Sequence, residues 1–221
     1  MKRTSQAILA SVLAAVVALG GCTSAYYKTM QKLGKEKRDI LVQRVKDSKK
    51  DQEETKEKLQ TTMESFQALT GFQGESLEKQ YKRLNSDYES AASQVDKLHE
   101  RIQSIDKVSN DLFTEWQGEI NQMSNAKLKA RSTAMLKDSQ ARQAAYMKAM
   151  RNTEARIAPV MAAFHDQVLF LKHNLNARAI GSLKGTSAKM DTDVTSLMKS
   201  IDGSMAEADN LINSLTASDQ Q

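Results

Sequence analysis

LEKQYKRLNSDYESAASQVDKLHERIQSIDKVSNDLFTEW, residues 77–116, is the stretch whose reading decides the fold. Within it Leu77, Tyr81, Leu84, Tyr88, Ala91, Val95, Leu98, Ile102, Ile105, Ser109, Leu112 and Trp116 recur at alternating spacings of four and three, and only Ser109 is polar. An α-helix turns once in about 3.6 residues, so this spacing keeps all of these side chains on one face. A seam held over more than five heptads calls for coiled-coil packing against other helices. At 1.5 Å per residue it is about 60 Å long.

The sequence before this stretch also reads as helix. From Tyr26 to Leu69 there is no proline, and Gly34 is the only glycine. Tyr26, Met30, Leu33, Ile40, Leu41 and Val45 form a stripe, residues 46–58 contain no apolar side chain, and Leu59, Met63, Phe66 and Leu69 resume it. A helical segment that is polar all round either bridges solvent or is held by ion pairs. The expectation is one long helix over 26–70 with a weak middle. Gly71 stands where a left-handed C′ residue would end it, and Glu75 or Ser76 can cap a second helix over 76–123.

Beyond the seam, Met123-Ser124-Asn125 offers a break and a cap, and a third helix is expected over 125–180. Its stripe begins weakly with Leu128, Met135, Tyr146 and Met150 and strengthens at Ile157, Met161, Phe164, Val168, Leu171 and Leu175. Pro159 lies inside this pattern, and because the seam continues across it a kink is expected rather than a stop. Val168-Leu169-Phe170-Leu171 covers nearly the whole helix circumference and is expected to be the most buried segment. Gly181 and Gly185 bracket the next turn. A last helix over 187–215 places Met190, Val194, Leu197, Ile201, Met205, Ala208, Ile212 and Leu215 on one side, followed by a frayed end at 217–221.

The expected fold class is therefore all-α: an elongated antiparallel bundle of about four long helices with coiled-coil packing, forming one domain over 26–216. Composition agrees, with one proline, 5% aromatic and 27% charged residues. Charge alternates along the chain: residues 28–58 carry a net +4, 75–119 a net −4, 127–156 a net +6 and 186–221 a net −4. In an up-down-up-down bundle, with the last helix closing on the first, every neighbouring pair would be opposite in sign. Exposed ion pairs contribute only about 0–1 kcal/mol each, so the pattern specifies pairing more than it supplies stability.

The N-terminal residues indicate an address. Lys2 and Arg3 precede an apolar run of 13 residues from Ala7 to Leu19, interrupted only by Ser11. Such a run is shorter than the roughly 17–25 residues of a membrane span and has the layout of a removable signal peptide, residues 1–21. Leu19-Gly20-Gly21-Cys22 resembles the bacterial lipobox, which implies cleavage between Gly21 and Cys22 and covalent attachment of a diacylglycerol and a further acyl chain, such as palmitate, to Cys22. Cys22 is the only cysteine, so no disulfide framework is available. Residues 22–25 form a short tether, and several acyl chains hold a protein durably where one does not. Thr23 after the cysteine, by the family rule for such lipoproteins, implies the periplasmic face of the outer membrane in a Gram-negative host.

No residue pattern suggests catalysis. Nucleophile-elbow, phosphate-loop, zinc-protease and dinucleotide motifs are absent, so no enzyme activity, catalytic residue, metal site or cofactor beyond the lipid on Cys22 is expected. His165 and His173 lie eight residues apart, too far for one ion on one helix without ligands from another. His165, Asp166, Lys172, His173, Asn174, Asn176 and Arg178 are retained as a candidate interaction region, either a small-ligand or metal-sensing patch or simply polar groups that hydrogen-bond helix ends. His99 adjoins the seam and reads as a packing or rim residue. Residues 28–50 carry +6, which suits either anionic head groups or a solvated face neutralised by the acidic last helix. Nucleic acid is not an expected partner, because basic and acidic helices compensate. The expected partners are the membrane, through the anchor, and other envelope proteins or the cell wall; no oligomeric state follows.

Several stretches resemble a family of bacterial envelope lipoproteins catalogued only as a domain of unknown function. They are Lys35-Glu36-Lys37-Arg38-Asp39-Ile40-Leu41 with Arg44-Val45, Leu69-Thr70-Gly71-Phe72 with Gly74, Leu112-Phe113 with Glu115-Trp116, and Asp166-Gln167-Val168-Leu169-Phe170-Leu171-Lys172-His173-Asn174-Leu175-Asn176-Ala177. The resemblance spans about 26–183 and implies a helical envelope lipoprotein of coiled-coil character with no assigned activity.

Overall fold

The computed structural model describes Tyr27 and residues 36–71 and 76–216. The signal peptide, Gly21, Cys22, the tether and the expected frayed end at 217–221 lie outside the described residues. Among the described residues from 36 onward, five helices follow in order: α1 Lys37–Thr70, α2 Leu77–Gln122, α3 Ala126–His173, α4 Ala177–Ser182 and α5 Lys184–Thr216. The four long helices form an all-α antiparallel bundle: α1 packs on α2, α2 on α3, α3 on α5, and α5 closes against α1. At 46 residues, α2 is about 69 Å long. One end, here the base, holds the start of α1, the α2–α3 turn and the end of α5. The opposite end, the apex, holds the α1–α2 connection, α4 and the start of α5.

The seam of α2 faces inward: Leu84, Ala91, Leu98, Ile102, Ile105, Ser109 and Leu112 are buried, while Leu77, Tyr81, Tyr88, Val95 and Trp116 pack at its margins. Ser109 is tolerated because its hydroxyl donates to the Ile105 carbonyl within the same helix at 2.8 Å. Opposite it lie Phe66, Leu59 and Leu69 from α1, Phe164 and Leu171 from α3, and Leu197 and Ile201 from α5, all 2% exposed or less. Burying each such side chain contributes about 1.5–3 kcal/mol, so the long apolar seams dominate the stability.

Several expectations are corrected. The helix that ends at Thr70 begins at Lys37, because Glu36 is extended (φ −78°, ψ 161°) and serves as its N-cap; Tyr27 before it is also helical, and residues 28–35 lie outside the described residues. Asp39 Oδ2 accepts the Glu36 N–H at 3.1 Å, placing a carboxylate at the positive end of α1. Gly71 is not left-handed: its φ is −91° and its N–H returns to the Gln67 carbonyl at 2.9 Å. Ser76 is the N-cap residue of α2, but its side chain makes no cap hydrogen bond; its carbonyl accepts from Lys79 N–H. The third helix stops at His173 instead of 180, since the Asn174 side chain donates to the Phe170 carbonyl and Asn176 Oδ1 caps α4 through Ala179 N–H. Gly181 and Gly185 do bracket a turn, at Leu183, though both themselves lie in helices, and the chain also breaks at 174–176. α3 runs through Pro159 as one helix.

Residues 46–58 are also not solvent-bridging. Ser48, Asp51, Gln52 and Thr55 are buried at i, i+3, i+4 and i+7, so the helical stripe continues in small polar side chains. Tyr146 reaches across from α3, and its hydroxyl donates to Ser48 Oγ at 2.9 Å. Ser204 of α5 hydrogen-bonds Gln52 Oε1, and Thr153 of α3 meets Ser200 of α5 at 3.2 Å. The bundle thus carries a polar layer between two apolar ones. Burial pushes the Tyr146 hydroxyl up to about 12, keeping it neutral and able to donate.

Candidate functional site

The region singled out near the end of α3 lies at the apex and is dispersed over its surface. His165, Asp166, Lys172, His173, Asn176 and Arg178 are exposed and Asn174 is half-buried. Asn174 and Asn176 form the helix-end hydrogen bonds already described, and His165 stacks at a tilt on Tyr88, with ring centroids 5.7 Å apart. Among the described residues no three His, Cys, Asp or Glu side chains converge on a possible metal position. Val168-Leu169-Phe170-Leu171 is not the most buried segment: Leu169 is 48% and Phe170 40% exposed. Four consecutive residues necessarily point around the helix, and only Val168 and Leu171, three apart, face the core with Phe164.

A different site forms at the base, where two of the family-like stretches meet. The start of α1 and the end of α2 enclose an open cleft of about 300 Å³, lined by Glu36, Lys37, Arg38 and Asp39 on one side and Leu112, Glu115, Trp116 and Glu119 on the other. The helical periodicity of α2 brings Leu112, Glu115 and Trp116 to one face, and the N-terminus of α1 lies beside them. Lys37 Nζ pairs with Glu115 Oε2 at 3.1 Å. The Arg38 guanidinium sits over the Trp116 ring, 5.9 Å from its centroid, while Trp116 Nε1 donates to Ser132 Oγ of α3 at 2.8 Å. Among the described residues no Ser, Thr, Cys or His lines the cleft, and what it presents is four carboxylates, Lys37, Arg38 and the Trp116 ring.

Tyr27 packs beside this cleft. It is 8% exposed, its hydroxyl donates to Asp111 Oδ2 at 2.8 Å, and Lys37 Nζ lies 5.0 Å from its ring centroid. The quoted motifs signalled the cleft, but their spacing alone did not show that residues 36–39 and 112–119 would face each other.

Ion pairs between helices follow the net-charge pattern only in part. Lys49 and Lys56 of α1 reach Asp209 and Asp202 of α5, each at 2.5 Å, and Arg151 of α3 reaches Asp106 of α2 at 3.3 Å. Between α1 and α2, however, the principal pairs run opposite to the net signs. The carboxylate of Asp51 on the basic helix is 3% exposed and receives Lys97 Nζ and Arg101 Nε of the acidic helix, each at 2.8 Å. The hydrogen bond to Asp51, followed by that to Glu54, raises the Lys97 pKa. His99 of α2 hydrogen-bonds Glu154 of α3, and that bond, reinforced by the Glu154 charge, raises its pKa above 6.5.

No curated protein and no solved structure matches the chain. A family model does, over residues 26–215, so the match takes in the last helix as well as the motifs of the first three. The chain belongs to the family described as a protein of unknown function, DUF2959.

Proposed function

We propose that this protein is a lipid-anchored, non-catalytic structural or interaction protein of the bacterial cell envelope, held at the periplasmic face of the outer membrane. The observation that carries the reading is Leu19-Gly20-Gly21-Cys22 after a basic start and a 13-residue apolar run. Two structural features fit it. No helix among the described residues is long and apolar enough to cross a membrane, so an attached lipid would be the means of holding this domain there. The bundle is also long, and both sides of its basal cleft carry charged side chains that suit contacts with other envelope components. The alternative, a ligand or metal module at 165–178, has less support, because those side chains point into solvent and the cleft lies at the other end.

In-cell cross-linking followed by mass spectrometry tests the interaction role, with Cys22→Ala as the unanchored control. Reproducible cross-links from the basal cleft to envelope proteins or cell wall, lost in Cys22→Ala, are expected. Cross-links indistinguishable between the two chains would count against it.

A further inference from the structure

We propose that the basal tip of the bundle docks on an anionic phospholipid surface through Leu128 and the lysines that flank it. The inference rests on the anchor reading above, and it adds which part of the bundle meets the bilayer.

Tyr27 fixes where the tether begins. Its buried ring and its bond to Asp111 fasten the chain to α2 eleven residues before the end of that helix at Gln122. Eleven helical residues span about 16 Å. From Tyr27 back to Cys22 are five residues, which reach at most about 18 Å. A lipidated Cys22 therefore only just reaches the level of the tip, so an upright bundle stands with its tip among the head groups. The apex, some 34 residues of α2 away from Asp111, is about 50 Å farther and out of range.

The tip suits such a surface. Leu128 is 57% exposed, more than any other large apolar side chain described. The turn that presents it is fixed, since Asn125 Oδ1 accepts from both Lys127 N–H and Leu128 N–H at 3.0 and 3.1 Å. Leu128 lies one turn before Ser132 on the same face of α3, but it stands in the first turn of the helix, at the end of the bundle, and is left uncovered there. Lys127, exposed, and Lys129, half-buried, flank it in sequence, and no Asp or Glu occurs from 126 to 137. An exposed apolar side chain flanked by lysines is an arrangement that partitions into an anionic interface. The basic first helix is less suited, because Lys37, Lys49 and Lys56 are already paired with carboxylates.

The test uses the lipidated protein reconstituted into vesicles. Lipidation blocks Cys22, so Leu128→Cys or Leu169→Cys supplies the single thiol for an environment-sensitive fluorophore, at the tip or the apex. Bilayer-embedded quenchers are expected to quench the label at 128 several-fold more strongly than at 169 in phosphatidylglycerol vesicles, with the difference at least halved in phosphatidylcholine. Equal quenching at 128 and 169 in vesicle-bound protein overturns the docking, and equal quenching at 128 in both lipids overturns the anionic preference. Protein whose intact mass shows no lipid and which fails to join the vesicles overturns the anchor reading, and the docking with it.

Discussion

Tyr27 donates its phenolic hydrogen to Asp111 Oδ2 at 2.8 Å, joining residues 84 positions apart. This bond fastens Tyr27, five residues after Cys22, to α2 of the bundle. A partly buried hydrogen bond to a carboxylate contributes about 1–2 kcal/mol. Tyr27→Phe should therefore lower stability by about that amount, read from the urea midpoint, and should speed amide exchange of residues near 27. An unchanged midpoint would mean that packing of the ring, rather than the bond, holds the segment.

The Tyr146–Ser48 bond in the central polar layer should behave as a coupled pair. Both residues are fully buried, so removing either partner leaves the other without its bond. Tyr146→Phe and Ser48→Ala should each cost about 1–2 kcal/mol, and the double variant less than their sum. Strict additivity in denaturant titrations would show that the two hydroxyls are satisfied independently.

Asp51 is the buried charge with most at stake. Its carboxylate is 3% exposed, but Lys97 and Arg101 keep 48% and 27% of their side chains in solvent, so the pairs are screened and are worth less than fully buried ones. Asp51→Ala should cost about 2 kcal/mol and Asp51→Asn less, because the amide can still accept a hydrogen bond. Equal losses in the two variants, measured by thermal unfolding, would contradict this.

His99 gives the fold a pH dependence. Glu154 raises its pKa in the folded chain above 6.5, first by hydrogen bonding and then by its charge, with Asp96 and Glu100 adding to the effect. The folded state then favours the protonated ring. The stabilisation is complete below the unfolded value near 6.5 and is lost as pH rises through the raised folded value. NMR titration should give His99 a midpoint above 6.5 that falls in Glu154→Gln. A midpoint at or below 6.5 in the native protein would show that the pair does not form in solution.

The fold was legible wherever burial is apolar. The spacing from Leu77 to Trp116 identified the inward face of α2, and the stripe from Met190 to Leu215 did the same for α5. It was less legible where packing uses small polar residues. Ser48, Asp51, Gln52 and Thr55 keep helical spacing, but hydropathy reads them as solvent-facing, and only the opposing Tyr146 and Ser204 show otherwise. Hydropathy misled in the other direction at Leu128, Leu169 and Phe170, which are apolar and exposed. Leu128 shares the face of Ser132 and Leu136 but is outside because it stands in the first turn of α3, at the end of the bundle. The basal cleft was present in the sequence as two separate motifs, and net helix charge could not reveal that Asp51 would draw Lys97 and Arg101 against the overall sign.

The intact mass of the protein extracted from cell membranes tests the central claim most directly. The account predicts a chain beginning at Cys22 with the added mass of a diacylglycerol and an amide-linked acyl chain, and a Cys22→Ala protein that keeps residues 1–21 and carries no lipid. A native chain of all 221 residues, or one cleaved elsewhere and bearing no lipid, would contradict it.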